Sequence, residues 1–176
     1  MELVKSINIP ITDYITAHAY ESYEDIFERL SSSLSFPVFV KPANAGSSDG
    51  ISKVLSMDDM GSALTTAFAL DQKVLIEKAI PIRDIEIAVI QDIITRQPLV
   101  TKVAGEIIND KTDFYSHDAK YNPEFQSTLK VPADITGKIR DKAINWSTLI
   151  AEELDYIGTL CVEFFIDKND NLYANE

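Results

Sequence analysis

Residues Phe36 to Val54 read FPVFVKPANAGSSDGISKV, and they decide the fold class more than any other stretch of the chain. An apolar strand, Phe36 to Lys41, runs into a loop of small residues and then into a second strand, Ile51 to Leu55. β-Branched and aromatic runs on both sides of a Gly-containing loop are typical of a β-hairpin. The sequence therefore predicts two antiparallel strands joined by a small-residue loop.

The loop of this hairpin has the composition of a phosphate-binding turn. Gly46 and Gly50 permit a close approach of the backbone to a ligand, and Ser47 and Ser48 add donors suited to phosphate oxygens. The loop lacks the Gly-Lys-Ser/Thr ending of a Walker loop and does not open a helix, which excludes that class of site. Lys41 ends a buried strand, where an ammonium group needs an anionic partner. A simple hairpin turn remains the alternative.

A second motif follows at Val74 to Ile80, a strand whose apolar character breaks at Glu77 and Lys78. A strand that becomes a hinge offers backbone groups to an adenine ring, and Lys78 is long enough to reach the base or a phosphate. The alternative is a strand that simply reaches solvent. Farther along, Asp84 and Glu86 alternate with apolar residues and share one face of a strand, where one of them could bind ribose hydroxyls.

The C-terminal hairpin predicts a metal site. If Lys168 to Asn171 form a four-residue loop, Glu163 stands directly opposite Glu176. Facing carboxylates repel each other unless a divalent cation lies between them, and hard oxygen ligands shared with phosphates favour magnesium. The alternative is a register shifted by two residues, with both carboxylates in solvent.

Three amphipathic helices are predicted between the strands. They cover Ser22 to Leu34, Met57 to Leu70 and Ala133 to Leu154, the last with Asp134 as its N-cap. The polar stretch Asn109 to Ser127 is the one long irregular segment, and such segments are usually functional. The pattern of elements indicates a mixed α+β fold in two lobes.

Composition excludes several classes of protein. The 176 residues carry 16 basic and 28 acidic side chains, a net charge of -12, which repels nucleic acids and anionic membrane surfaces. Hydrophobic residues make up 45%, yet no apolar run reaches the roughly 18 residues of a membrane span. With one cysteine, Cys161, and no recognisable signal peptide, we expect a reducing, cytoplasmic setting.

With these motifs in place, the chain resembles the ATP-grasp superfamily, and residues 1–135 look most like D-alanine:D-alanine ligase. The phosphate-loop segment Phe36 to Val54 carries the resemblance, together with Gly105-Glu-Ile-Ile and the ω-loop-like run Asp113 to Tyr121. The resemblance implies two α+β lobes that clamp the nucleotide. It places the tail of a preceding domain at residues 1–11, a small lobe at 12–78 and a large lobe at 79–176.

The resemblance also implies roles for individual residues. ATP phosphates would be contacted by Lys41 and Lys120, with Lys120 and Ser48 acting in catalysis. Glu163 and Glu176 would bind Mg²⁺. The nucleotide-binding set as a whole would be Lys41, Gly46, Ser47, Ser48, the adenine hinge Glu77, Lys78, Ala79 and Ile80, then Asp84 at the ribose position, Lys120 and Phe165.

The last third departs from the ligase pattern. The runs Tyr156 to Phe165 and Asn171 to Glu176 look more like carboxyaminoimidazole ribonucleotide synthetase, and Cys161 stands where the ligase branch has an Arg that holds the acyl phosphate and substrate. A thiol supplies neither the charge nor the forked donors of that Arg. This mosaic indicates an engineered, chimeric or reconstructed core.

The resemblance implies a function in two versions. In the first, the chain binds Mg-ATP and ligates a small carboxylate to an amine through an acyl phosphate, as D-alanine:D-alanine ligase does. In the second, it is an ATP-binding fragment or scaffold with little or no ligase activity. The expected partners are ATP and a small carboxylate, with no nucleic acid and no membrane, and a homodimer is compatible with either version.

Overall fold

The computed structural model describes residues 1–109 and 114–176. Its elements in chain order are α1 (Glu2–Ser6), β1 (Tyr14–His18), α2 (Tyr23–Ser33), β2 (Val38–Pro42), β3 (Ser52–Val54), α3 (Met60–Phe68), β4 (Lys73–Lys78), β5 (Ile82–Gln91), β6 (Pro98–Val100), β7 (Gly105–Ile108), α4 (His117–Tyr121), β8 (Thr128–Lys130), α5 (Gly137–Leu154), β9 (Gly158–Asp167) and β10 (Leu172–Ala174). A single 3-10 turn, Met57–Asp59, precedes α3.

The chain divides into two units. The middle unit comprises Thr12–Ile80 and Asn109–Gln126, and the terminal unit comprises Met1–Ile11, Pro81–Ile108 and Ser127–Glu176. This division differs from the predicted lobes, because residues 1–11 pack in the terminal unit and 109–126 belong to the middle unit. Of the helices in residues 1–109 and 114–176, none combines the length and the apolar character that a bilayer span requires.

The middle unit is built on an antiparallel sheet with strand order β1-β4-β2-β3. Strand alternation buries Val38 and Val40 on the face that carries α2 and α3, whose apolar side chains complete the core. Ile26 and Leu64, for example, are fully buried there. Each such side chain contributes about 1.5–3 kcal/mol by leaving water. Ser22 is the N-cap of α2, since its Oγ accepts from the Asp25 amide at 3.1 Å.

The terminal unit contains a second antiparallel sheet, ordered β10-β9-β5-β7-β8 among the described residues, with β6 paired to β5. Its longest ladder joins β5 to β9, from Ile82 opposite Asp167 to Gln91 opposite Gly158. One face of this ladder packs in the core beneath α5, with Phe164 among its fully buried side chains. The opposite face carries Asp84, Glu86 and Glu163 together with apolar side chains such as Ile90 and Phe165.

The start of α5 is later than predicted. The helix begins at Gly137, and its N-cap is Thr136, whose Oγ1 accepts from the Ile139 amide at 3.4 Å. Asp134 is not the cap, because its backbone is held elsewhere: its carbonyl accepts from Arg83 Nη2 and its amide donates to Glu106 Oε2. A contact from distant strands therefore overrides a local capping preference.

The register of the C-terminal hairpin also differs from the prediction. Leu172 pairs with Ile166, and the Asp167 amide donates to the Asn171 carbonyl, so the loop has three residues rather than four. Asp170 takes a φ of 62° there. A turn that ends in a left-handed residue is a standard three-residue hairpin. Glu163 consequently lies beside Asn175 and Glu176 instead of directly opposite Glu176.

Candidate functional site

The middle unit holds a largely buried ion pair on one face of its sheet. Lys41 on β2 and Glu77 on β4 are diagonal neighbours, because Phe39 lies opposite Glu77 and Lys41 lies opposite Leu75. The Lys41 Nζ atom is 2.6 Å from Glu77 Oε2. Thus the anionic partner that the strand-end Lys41 requires is supplied by the protein itself. Sequence reasoning assigned Glu77 to the hinge and missed this role.

Glu77 is the most buried acidic residue of the middle unit's described part, at 3% exposure. Its second oxygen, Oε1, has no hydrogen-bond donor among the residues that the structure describes. Phe114 covers this face by packing edge-on against Phe39 at 5.1 Å between ring centroids. The pair therefore presents one bound ammonium group and one unsatisfied acceptor.

The hairpin loop between β2 and β3 adopts an unusual backbone. Ser47 and Ser48 have φ angles of 56° and 58°, and Gly50 has a φ of 71°. A side chain at Gly50 would come within 2.6 Å of Leu70, whereas Gly46 lies in open space. Non-glycine residues in this conformation cost of order 1 kcal/mol or more and concentrate at ligand sites. The fold itself therefore requires glycine at Gly50, and the close approach of a ligand to Gly46 and Gly50 stays a prediction.

A second segment of the middle unit, residues 114–121, lies against this loop. Ser47 Oγ and the Tyr121 hydroxyl are 2.7 Å apart, and Ser48 Oγ donates to the Tyr115 carbonyl at 2.7 Å. Lys120, on α4, places its ammonium 4.6 Å from the centre of the Tyr115 ring. The predicted residues Ser47, Ser48 and Lys120 are therefore brought together by two tyrosines that sequence reasoning did not single out.

The predicted run Asp113 to Tyr121 is described only from Phe114 onward, and Asp113 lies outside the described residues. Within the described part, α4 interrupts the stretch that was predicted to be irregular. Ser116 caps this helix by accepting from the Ala119 amide at 3.2 Å. Lys120 lies in the last turn of this helix.

The hinge residues are held by the middle unit as well. The Lys78 amide donates to the Asp13 carbonyl at 2.9 Å, and the Ala79 amide donates to the Pro37 carbonyl at 3.0 Å. The Lys78 side chain is exposed, while Ala79 and Ile80 are half-buried. Two of the backbone donors predicted for a base are therefore already used within the protein.

The open face of the terminal unit carries the predicted carboxylates. Glu86 on β5 lies directly opposite Glu163 on β9, and Asp84 lies opposite Phe165. Asn175 Nδ2 donates to Glu163 Oε2 at 3.2 Å, and the Glu163 amide donates to the Glu176 carbonyl at 2.7 Å. In the described part of the chain, His, Cys, Asp and Glu form no group of three or more with the geometry of a metal site.

Cys161 belongs to the same strand face as Glu163, as predicted, because the two residues are separated by two positions on β9. The residue is exposed. Partial desolvation of the thiol, followed by the charges of Glu86, Glu163 and Glu176, raises the pKa of Cys161 to about 11. The thiol is therefore protonated at neutral pH and surrounded by negative charge.

Comparison with known proteins agrees with the fold and extends over the whole chain. The family model described as "D-ala D-ala ligase C-terminus" matches residues 3–176. The D-alanine--D-alanine ligase of Geobacillus thermodenitrificans is 38% identical over 166 residues, which are 93% of this chain and 44% of that protein. The ligase of Lactococcus lactis is 34% identical over 98% of this chain and 48% of its own length.

Among solved structures, the VanG D-Ala:D-Ser ligase from Enterococcus faecalis superposes with a TM-score of 0.83 at 25% identity, over 99% of this chain and 49% of that one. The D-alanine-D-alanine ligase of Coxiella burnetii gives a TM-score of 0.75. The predicted α+β ATP-grasp fold is confirmed.

The chain spans about half the length of the curated relatives that it matches. The match continues to residue 176, and the comparisons show neither the predicted synthetase resemblance of the last third nor a chimeric origin. By the extent of this match, the chain belongs to the D-Ala-D-Ala ligase C-terminal family.

Proposed function

We propose that the chain is the nucleotide-binding core of an ATP-dependent ligase and that it binds ATP together with magnesium. The observation that carries this proposal is the buried pair of Lys41 and Glu77, with Glu77 Oε1 unsatisfied among the described residues. A buried acceptor without a donor costs about 1–3 kcal/mol. A ligand that supplies a donor at this point recovers that free energy.

Adenine has the complementary edge. Its N6 amino group is a donor and its N7 is an acceptor, whereas guanine presents two acceptors, O6 and N7, at the same edge. Glu77 Oε1 would accept from N6, and Lys41 would donate to N7, a role that replaces the phosphate contact that the resemblance implies for Lys41. Guanine would place O6 against the carboxylate, so the pair selects ATP over GTP.

The remaining nucleotide contacts are proposed from the resemblance. Because the Lys78 and Ala79 amides are used within the middle unit, hinge contacts to the base fall chiefly to Ile80. Asp84 would hold the ribose, and Phe165 would contact the base. Gly46, next to Ser47 in the phosphate loop, would let the backbone approach the phosphates closely.

The phosphates would be bound by Lys120 and by the loop that carries Ser47 and Ser48. A charge-assisted hydrogen bond of this kind contributes about 1.5–3 kcal/mol. In a chain of net charge -12, such local positive groups are needed to attract a polyanion. The Tyr115 and Tyr121 contacts hold the segment of Lys120 against the loop.

Glu163 and Glu176 are the residues that would hold magnesium. Two carboxylates fit this ion, because magnesium is usually bound by one or two carboxylates together with substrate phosphates and water. Asn175 orients the Glu163 carboxylate through its amide hydrogen bond. When bound, the ion neutralises charge on the transferring phosphoryl group.

The proposed reaction is the ligation of a small carboxylate, such as that of D-alanine, to an amine through an acyl phosphate, in the cytoplasm where ATP is available. Lys120 would stabilise the phosphoryl group during transfer, with Ser48 donating from the loop. Cys161 favours the second version, an ATP-binding fragment with little turnover, because a protonated thiol among carboxylates cannot hold an anionic acyl phosphate. Mass spectrometry for dipeptide, with an ADP-release assay, distinguishes the two versions.

The test of nucleotide selection is titration calorimetry with Mg-ATP and Mg-GTP. We expect ATP to bind at least about tenfold more tightly than GTP, because a tenfold difference in affinity corresponds to the free energy of about one hydrogen bond. Glu77→Gln should weaken ATP binding and reduce the difference in affinity between ATP and GTP, since the glutamine amide group can donate a hydrogen bond to O6 of guanine. Equal affinities of the unaltered chain for ATP and GTP would contradict the proposal.

Controls separate selection from folding. Glu77→Gln removes the carboxylate charge that pairs with the partly buried Lys41, which is costly. The double change Lys41→Met with Glu77→Met removes both charges and should abolish the preference in a folded protein, as checked by circular dichroism. Glu21→Gln, which breaks the Glu21–Arg29 pair elsewhere in the middle unit, should leave the preference unchanged.

A further inference from the structure

The chain crosses from one unit to the other after Ile11 and at three later places. These crossings follow Ile80, Ile108 and Gln126. The segment between the last two includes residues 114–126, which carry Lys120 and contact the phosphate loop of the middle unit. Its flanking strands, β7 and β8, belong to the terminal unit.

Charged side chains of the terminal unit lie next to each of these crossings and bind one another. Arg83 follows the first crossing, and Glu106 precedes the second. Arg83 Nε and Nη2 donate to the two carboxylate oxygens of Glu106 at 2.6 and 2.8 Å. Arg83 Nη2 also donates to the Asp134 carbonyl at 2.8 Å.

The third crossing is tied to the same pair. Past it, Lys130 on β8 lies opposite Glu106 in the ladder, and its ammonium is 3.8 Å from Asp134. The Asp134 amide in turn donates to Glu106 Oε2 at 3.4 Å. Glu106 is 7% exposed, so its carboxylate is held in place by these contacts. Arg83, Glu106, Lys130 and Asp134 form what we call the crossing cluster.

Apolar burial cannot supply this anchor. All three residues of β8 are exposed, and β8 joins β7 through only three residue pairs in the described chain. An edge strand with so little buried surface gains little from the hydrophobic effect. The bidentate Arg83–Glu106 pair is the strongest polar contact at the base of the segment.

We propose that Arg83 and Glu106 are positioning residues for nucleotide phosphates, because they fix the base of the segment that presents Lys120. Neither residue touches the nucleotide in this proposal, which rests on the proposed function. Loosening the base displaces Lys120, whereas Lys41 and Glu77, the adenine contacts of the proposed function, are held by the pairing of β2 with β4.

The test compares ligands with and without phosphates. In Glu106→Gln, we expect ADP to bind about tenfold more weakly, the loss of one charge-assisted contact, and adenosine to bind within about twofold of the unaltered chain. Arg83→Lys, which keeps the charge but not the fork, should give an intermediate loss. An equal loss for both ligands, or no loss for either, would overturn the proposal.

Glu21→Gln is the matched control, because it breaks another Arg–Glu pair that lies away from the crossings. This variant should lower the melting temperature. It should not weaken the binding of ADP more than the binding of adenosine. Deuterium exchange gives a readout that needs no nucleotide: amides of residues 114–126 should exchange faster in Glu106→Gln and not in Glu21→Gln. If the unaltered chain binds neither ligand, the proposed function fails, and unchanged exchange in Glu106→Gln would separately reject the positioning role.

Discussion

At the residue scale, the chain shows how two neighbouring side chains determine each other's chemistry. Lys41 was predicted to need an anion, and the structure supplies Glu77 at 2.6 Å. Local sequence could not reveal this pair, because the two residues belong to strands far apart in the chain. It requires the register of β2 against β4, which sets them on one diagonal.

Cys161 provides the first prediction at this scale. Its pKa of about 11 predicts that alkylation by iodoacetamide at pH 8 is about a hundredfold slower than for an unperturbed thiol, because only the thiolate reacts. The rate should rise with pH up to about pH 11. A rate at pH 8 equal to that of a small free thiol would contradict this environment.

Changes in the surrounding carboxylates should move this rate in a defined direction. Glu86→Gln removes one negative charge near the thiol, so the pKa of Cys161 falls and alkylation at pH 8 accelerates. Glu152→Gln changes an exposed residue on α5 and should leave the rate unchanged. The two variants carry the same net charge, which separates the local effect from the charge of the whole chain.

At the scale of elements, the sequence predicted which segments form strands and helices. It was less successful at predicting the residue at which each element begins. The strands at Val38, Val74 and Ile85 follow from their β-branched runs. The start of α5 was wrong because Asp134 is bound by Arg83 and Glu106 from other strands. The predicted register of β10 was wrong because the local sequence did not indicate that Asp170 adopts a left-handed conformation.

The corrected start of α5 can be tested by removing its cap. Thr136→Ala should lower the free energy of unfolding by about 0.5–2 kcal/mol, because the Ile139 amide loses its acceptor. Lys130→Met is a comparison that removes a long, exposed ion pair to Asp134 and the charge that Lys130 places near Glu106, and it should cost less. Urea denaturation measures both. A Thr136→Ala variant as stable as the parent would show that Thr136 does not cap the helix.

At the scale of the whole molecule, the fold was predictable because the motif in Phe36 to Val54 and the later runs agree on one superfamily. The division of the chain was not, because contacts rather than sequence order place 109–126 in the middle unit. The predicted site residues lie in both units, and their roles stay predictions until ligands are bound.

Metal and nucleotide should act together on stability. A ligand that binds only the folded state raises the melting temperature, and the proposed shared coordination predicts that magnesium with ATP raises it more than the two separate effects combined. In Glu163→Gln this excess should shrink, whereas Glu153→Gln, an exposed change on α5, should retain it. Differential scanning fluorimetry measures the shifts. A full excess in Glu163→Gln would remove that residue from the metal site.

The interleaved order of the two units has a consequence for synthesis on the ribosome. All residues of the middle unit have been made once Gln126 is added, so that unit can fold while translation continues. The terminal unit must wait, because the long partner of β5 is β9, which begins only at Gly158. At roughly 5–20 residues per second, the nascent β5 remains unpaired with β9 for several seconds, exposed to chaperones and to neighbouring nascent chains.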